Sequence, residues 1–190
     1  MPDGEDEMID TILLVIVKLL AGWLIADFLG GLVHWLEDRV LTERTPFVGA
    51  TVVASNRLHH REPMAFAARS VIARNGTTWL AACTVSLLWL ALLGPSFVWF
   101  AATIGGAVSS SVHFLTHQPR RANRAVRILQ EIGLVQSAAH HAGHHRPPSD
   151  RRYCPLTGWV NPVVDGLDIW RRLEHALGAI GVHLEVEEAK

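Results

Sequence analysis

Eleven histidines fall in a chain of 190 residues, and nine of them stand in four groups: His34; His59 and His60; His113 and His117; and His140, His141, His144 and His145. His113 and His117 are four apart, so on a helix both imidazoles leave the same face. The run H-H-A-G-H-H offers two more such pairs, 140 with 144 and 141 with 145, on a helix that Pro147 and Pro148 would end. His34 and Asp38 make a further four-residue pair, and Asp27, Gly31, His34 and Asp38 share one helical stripe. Neutral imidazole is the commonest nitrogen ligand of metals, and H-x-x-x-H beside H-H-x-x-H-H is a ligand pattern. Asp38 either binds metal or holds His34 in place, and Asp27 is positioned to orient a ligand by accepting its second N–H. His175 and His183 stand alone and read as ordinary surface or hydrogen-bonded residues.

Counting ligands narrows the chemistry. A zinc site uses about four protein ligands, or three with an open position, so nine histidines and an aspartate suit two metals with room for oxygen. No H-E-x-x-H is present, which disfavours a zinc protease of that type. Cys83 and Cys154 form no C-x-x-C pair, which argues against a disulfide framework, a zinc ribbon or an iron–sulfur cluster. Imidazole suits zinc, copper, iron and nickel alike, so ligand type leaves the metal open. Zinc would hydrolyse an ester, whereas iron would activate oxygen against a C–H bond.

The elements that must carry these residues are membrane helices. The chain is 49% hydrophobic, with 17 Lys and Arg against 18 Asp and Glu, so net charge favours neither nucleic acid nor an acidic partner. Residues 9–36 form an apolar stretch long enough to cross a bilayer, interrupted by Lys18, which can snorkel, and by the deeper Asp27. Further spans are expected at about 77–93 and 97–115, joined by the tight turn Gly94, Pro95 and Ser96. Gly105, Gly106, Ala107 and Ser109 to Ser111 predict close helix packing in the third. The acidic first ten residues are unlike a cleaved secretory signal, so the first span is expected to stay. Asn75-Gly76 reads as a turn or helix start.

Arginines cluster after span one (Arg39 to Arg74) and after span three (Arg120 to Arg152), which by the positive-inside rule places both segments, and every histidine group, on the cytoplasmic side. The expected fold is an all-α integral membrane bundle of about three transmembrane helices with a cytoplasmic histidine-rich helical cap. One domain, 1–190, is expected: an acidic tail 1–8, spans within 9–117 around a cytoplasmic loop 37–76, and a cytoplasmic or interfacial segment 118–190. Trp170, Leu173, Leu177, Ile180 and Leu184 form a last stripe, for a helix lying in the interface or packed on the rest of the protein.

The ordered motifs A-D-F-x-x-G-L-V-H-W-x-x-D (Ala26 to Asp38), H-H-x-E-P (His59 to Pro63), H-x-x-x-H (His113 to His117), H-H-x-x-H-H (His140 to His145), Y-C-x-x-T-G-W-x-N (Tyr153 to Asn161) and W-R-R-L-E (Trp170 to Glu174) resemble the plasmanylethanolamine desaturase family. This is the Kua or CarF-like group of lipid desaturases, with a chloroplast acyl-lipid branch. The resemblance implies a single lipid desaturase domain holding two non-haem iron ions, using oxygen and two electrons to desaturate a lipid-linked chain; in the plasmalogen branch the product is a vinyl ether. It assigns His34, Asp38, His59, His60, His113, His117, His140, His141, His144 and His145 to the iron site. The first loop and hairpin are short and span one begins almost at the N-terminus, departures that bear on substrate choice rather than on metal binding.

No dinucleotide fingerprint, flavin motif or cysteine cluster supplies electrons, so a separate donor is expected, ferredoxin or cytochrome b5-like, docked by the arginines between Arg120 and Arg152 unless these grip lipid phosphates. Tyr153, Cys154, Thr157, Gly158, Trp159 and Asn161 either shape a chain pocket or pack beneath the metals. Other readings stay open: an acyl-lipid desaturase or hydroxylase on the same scaffold, a metal-dependent lipid hydrolase, a haem-binding membrane electron carrier, which would leave most of the nine histidines unexplained, and a non-catalytic metal-binding membrane protein, for which so many ligands would be wasteful.

Overall fold

The computed structural model describes residues 4–182 and 184, and among these the chain is helical with no strand. The proline-free stretch at the start forms one helix, α1 (Gly4–Arg39), which includes the acidic residues expected as a tail. At about 1.5 Å per residue it runs roughly 54 Å, well beyond a hydrocarbon core of about 30 Å. His34 and Asp38 therefore ride on an end that need not lie in lipid.

Two more long helices follow, α4 (Val71–Leu93) and α5 (Phe97–His117), after the short α2 (Ala54–Arg61) and α3 (Pro63–Ala68). All three long helices have the length and apolarity to cross a membrane. Much of the outer face of α4 meets no protein, with Leu80, Leu87, Leu92 and Leu93 exposed as lipid-facing side chains would be. The α4–α5 turn is at Gly94, with Ser96 capping α5 by accepting from the Trp99 amide.

Helix α4 starts six residues before the expected position because Ser70 caps it. Asn75 and Gly76 thus lie inside a helix, not in a turn. Asn75 is buried: its Nδ2 donates to the Val71 carbonyl at 2.8 Å and its Oδ1 accepts from Ser111 Oγ at 3.0 Å, tying α4 to α5. The small residues of α5 do what their size suggests. A Cβ on Gly105 would lie 2.7 Å from the Ala26 Cβ on α1, and one on Gly106 would lie 3.3 Å from the Ala82 Cβ on α4.

The loop between α1 and α4 is itself largely helical: a π-helical turn (Gly49–Val53) leads into α2, which carries His59 and His60. After α5 come α6 (Arg124–Glu131), α7 (Ala138–His141), α8 (Val160–Gly166) and α9 (Ile169–Ala179). These do not form a cap stacked only on the helix ends. They run back along the flank of α1, where Trp23 Nε1 donates to the Leu134 carbonyl at 2.9 Å and Asp27 accepts from the Leu156 and Thr157 amides. The terminal stripe resolves as packing on the protein: Trp170 is buried against Phe28 and Trp35, with Leu173 and Leu177 on the same core. The helix stops at Ala179, so Ile180 is exposed and Leu184 is outside it. His175 is exposed on α9, and His183 lies outside the described residues.

Close approach at Gly105 makes a prediction with opposite signs at two glycines. Gly105→Leu should destabilise the detergent-solubilised protein by at least about 1–3 kcal/mol through overpacking. Gly76→Ala, with open space around the added methyl, should leave stability unchanged or raise it by up to about 1 kcal/mol. Thermal unfolding of the two variants beside wild type checks both signs.

Candidate metal centre

Four helices and a loop deliver the histidines to one place. The last turns of α1 bring His34 and Asp38, α2 brings His59 and His60, the end of α5 brings His113 and His117, and α7 with the turn after it brings His141, His144 and His145. They sort into two adjacent groups. His59, His113, His117, His141 and His145 form the first, and His34, Asp38, His60 and His144 the second, each with its ligand atoms within 4.8 Å of one another. The groups adjoin: the His60 and His145 rings are 5.0 Å apart and those of His141 and His144 5.9 Å.

In the first group Nε2 faces Nε2 at 2.9 Å for His59–His113, 3.2 Å for His113–His117, 3.0 Å for His117–His141 and 2.9 Å for His141–His145. Adjacent ligands of one ion with metal–nitrogen bonds of about 2.1 Å stand about 3.0 Å apart at right angles and about 3.4 Å at tetrahedral angles. The observed spacing is that of one coordination shell. In the second group Asp38 is the hub, with an oxygen 3.6 Å from His34 Nε2, 3.3 Å from His60 Nε2 and 3.4 Å from His144 Nε2. His34 Nε2 and Asp38 Oδ2 are buried with no hydrogen-bond partner, although buried polar atoms are ordinarily satisfied. A cation between them satisfies both, so the residues present fit a metal in each group.

Backbone carbonyls set how two ligands face. His34 Nδ1 lies 3.1 Å from the Tyr153 carbonyl and His144 Nδ1 lies 2.7 Å from that of Arg151. A carbonyl only accepts, so each Nδ1 carries the proton and each Nε2 turns a lone pair inward. The segment supplying these carbonyls is clamped from three sides. Asp27 takes hydrogen bonds from the Leu156 and Thr157 amides at 2.6 and 3.0 Å and from Thr157 Oγ1 at 2.6 Å; Gln136 Nε2 donates to the Cys154 carbonyl at 2.7 Å; Asn161 accepts from the Cys154 amide at 2.9 Å. Close contact with α1 leaves no room for a Cβ at Gly31, which would sit 2.6 Å from Cys154 Sγ.

Several expectations change here. Asp27 receives no histidine N–H; it acts on the 151–157 segment instead. Of the two expectations for the segment after the last histidines, packing fits Tyr153, Cys154, Thr157 and Asn161, which are fully buried beneath the two ligand groups. The H-H-A-G-H-H run is not one helix. Helix α7 ends at His141, and Arg152 Nη1 donates to the His140 carbonyl at 3.2 Å where a continuing helix would place the residue 144 amide. His141 and His145 still pair, but His144 swings to the second group. His140 joins neither group: its Nε2 is 3.0 Å from Asn161 Nδ2, which donates to it. Two contributors were not foreseen. Asn56 Nδ2 donates to Asp38 Oδ1, and it precedes His60 by four residues, the signal that marks a shared face of α2. Gln136 carried no comparable signal.

Electrostatics keep these imidazoles neutral. Burial, aided by the neighbouring His117 and His145, pushes His59 down to about 2. Burial, with His60 and His144 nearby, pushes His145 down to about 3, and burial with His113 at hand holds His141 well below the usual range. An unfolded chain takes protons on histidine near pH 6.5, whereas the folded, metal-free protein resists them until far lower pH. Acidification below about pH 6.5 therefore favours unfolding of the metal-free protein, and stability should level off above about pH 7. Thermal denaturation of chelator-treated protein between pH 5 and 8 checks this, and His59→Gln should flatten the slope.

The lipid desaturase domain family matches residues 23–183. A probable fatty acid desaturase of Acanthamoeba polyphaga mimivirus is 32% identical over 88% of this chain and 84% of its own length. Plasmanylethanolamine desaturase 1 of Mus musculus is 33% identical over 85% of this chain and 64% of its own, and the chloroplastic fatty acid desaturase 4-like 1 of Arabidopsis thaliana 35% over 83% and 54%. The chain thus spans most of the viral relative but only about half to two thirds of the other two. No solved structure matches it significantly. With the family match covering the end of the first span, the other two spans and both histidine groups, the chain belongs to the lipid desaturase family, a class of oxidoreductases.

Proposed function

We propose that this chain is a membrane di-iron lipid desaturase that forms the vinyl ether bond of plasmalogens from plasmanyl, or alkyl-ether, phospholipids. The observation that carries the reading is the pair of adjacent ligand groups, five histidines in one and three histidines with Asp38 in the other. Iron bound there would supply oxygen activation against an unactivated C–H bond. The balance is one –CH2–CH2– unit, one O2, two electrons and two protons giving –CH=CH– and two waters. The protein's part is to hold nine donors neutral or anionic in fixed directions, to bury them from water, and to bring the lipid chain beside them.

His34, His59, His60, His113, His117, His141, His144 and His145 are the histidine ligands in this reading, with Asp38 bridging its group to Asn56. His140 supports the site through Asn161. The arginine-rich segments support a cytoplasmic position for the centre, which in this reading belongs to one domain over 1–190. Electrons come from a separate donor, ferredoxin or cytochrome b5-like, meeting the exposed basic surface that includes Arg120, Arg121 and Arg124. Relatives named for plasmanylethanolamine favour the ether lipid. Those named fatty acid desaturase, at similar identity, support a second reading in which an acyl-linked chain is the substrate.

Lipid mass spectrometry of cells fed alkyl-ether lipid tests this. Wild type should yield a product lighter by two hydrogens that releases an aldehyde in acid, and His144→Ala should not. Loss of two hydrogens from an acyl chain alone would move the substrate to acyl lipids. A product that gains oxygen would make the enzyme a hydroxylase. No change in any lipid with a donor present would overturn the desaturase reading.

A further inference from the structure

In the desaturase reading a lipid chain must reach the two ligand groups, which are backed by different side chains. Behind the second group stands Tyr153, fully buried, its ring 5.0 Å from that of His144 and 5.7 Å from that of His34. Trp170 and then Trp35 back Tyr153 in turn, so the chain has no path there.

The first group is covered differently. Phe66 on α3 lies 5.2 Å from the His59 ring and stacks on the His113 ring at 4.8 Å, with an interplanar angle of 25°. Phe66 is only half-buried, and it also lines a cavity of about 470 Å³ together with Ala50, Ala54, Leu58, Ala65 and Arg69. That volume is in the range of small-molecule sites. Three alanines create the room. Arg69 also lines the cavity, its Nη1 donating to Ser55 Oγ, and Met64 near the start of α3 and Val71 and Ile72 at the start of α4 expose apolar side chains. The pocket thus joins an apolar outer surface, a fixed cation and an aromatic partition against the metal ligands.

We propose that this pocket admits the reacting chain of a glycerophospholipid, with Phe66 lining the path where the pocket meets the first ligand group and Arg69 meeting the phosphate. The proposal rests on the desaturase reading for its substrate. A second groove, of about 410 Å³ between α1 and α8, includes Phe28, Trp159 and Val163. It is the poorer route, because Phe28 stacks on Trp170 and Trp170 meets Tyr153 edge to face, which places that aromatic layer before His144.

Photo-crosslinking of the full chain in membranes, with a phospholipid bearing a diazirine on its chain, tests the pocket without relying on turnover. Label should map to residues 50–69 in wild type and disappear in Ala54→Trp while metal content stays that of wild type. In the desaturation assay Ala54→Trp should lower kcat/KM by roughly tenfold or more, mainly through KM. Ala65→Leu should shift preference towards shorter chains, and Arg69→Gln should raise KM for a phospholipid but not for the matching neutral glycerolipid. Val163→Trp, which fills the other groove, should change none of these. Label on residues 159–163, or unchanged labelling and kinetics in metal-replete Ala54→Trp, would overturn the pocket. Label in the pocket without loss of hydrogen from any lipid would keep the pocket and remove the desaturase reading.

Discussion

Imidazole nitrogens turned lone pair to lone pair repel one another unless a cation stands among them. In this fold that constraint governs four helices, because α1, α2, α5 and α7 each end or turn where their histidines converge. Burial of His34, His59, His141 and His144 also removes the water that would screen the lone pairs. The remainder of the chain serves to hold these ends together, and without the ion the same arrangement opposes stability.

The long helices contribute closeness and the segment 151–157 contributes direction. Gly105 against Ala26 lets α5 lie near α1, so His113 and His117 reach the level of His34. The 151–157 segment then presents two carbonyls that fix the tautomers of His34 and His144. Asp27, although in the middle of an apolar helix, matters to the centre only through this segment: three hydrogen bonds to Leu156 and Thr157 register a loop some 130 residues away against α1. A carboxylate satisfied by two amides and a hydroxyl is a tolerable burial, which explains a charge-bearing residue so deep in a span.

Regular helices were legible in the sequence, and tertiary contacts were not. His113 with His117 and His34 with Asp38 were readable because α5 and α1 are uninterrupted and a four-residue spacing on a helix has one meaning. The same rule failed at His140 to His145, where a Cβ on Gly143 would lie 2.1 Å from Arg152 Nη1 and the chain leaves helical geometry after His141. A one-residue change of register there separates His141, which joins the first histidine group, from His140, which joins neither. Asn75 misled for a related reason: a polar residue beside glycine suggests a turn, yet Ser111 across the bundle satisfies its side chain. The roles of Asp27, Gln136 and Phe66 depend on contacts between distant segments and have no local pattern.

The central claim is that two groups each hold one iron, and iron content per chain tests it most directly. Protein loaded anaerobically with ferrous iron should hold two ions per chain, with His141→Ala and His34→Ala each reduced towards one and His140→Ala still holding two. A single ion in wild type, or a loss in His140→Ala as large as that in His141→Ala, would contradict the account.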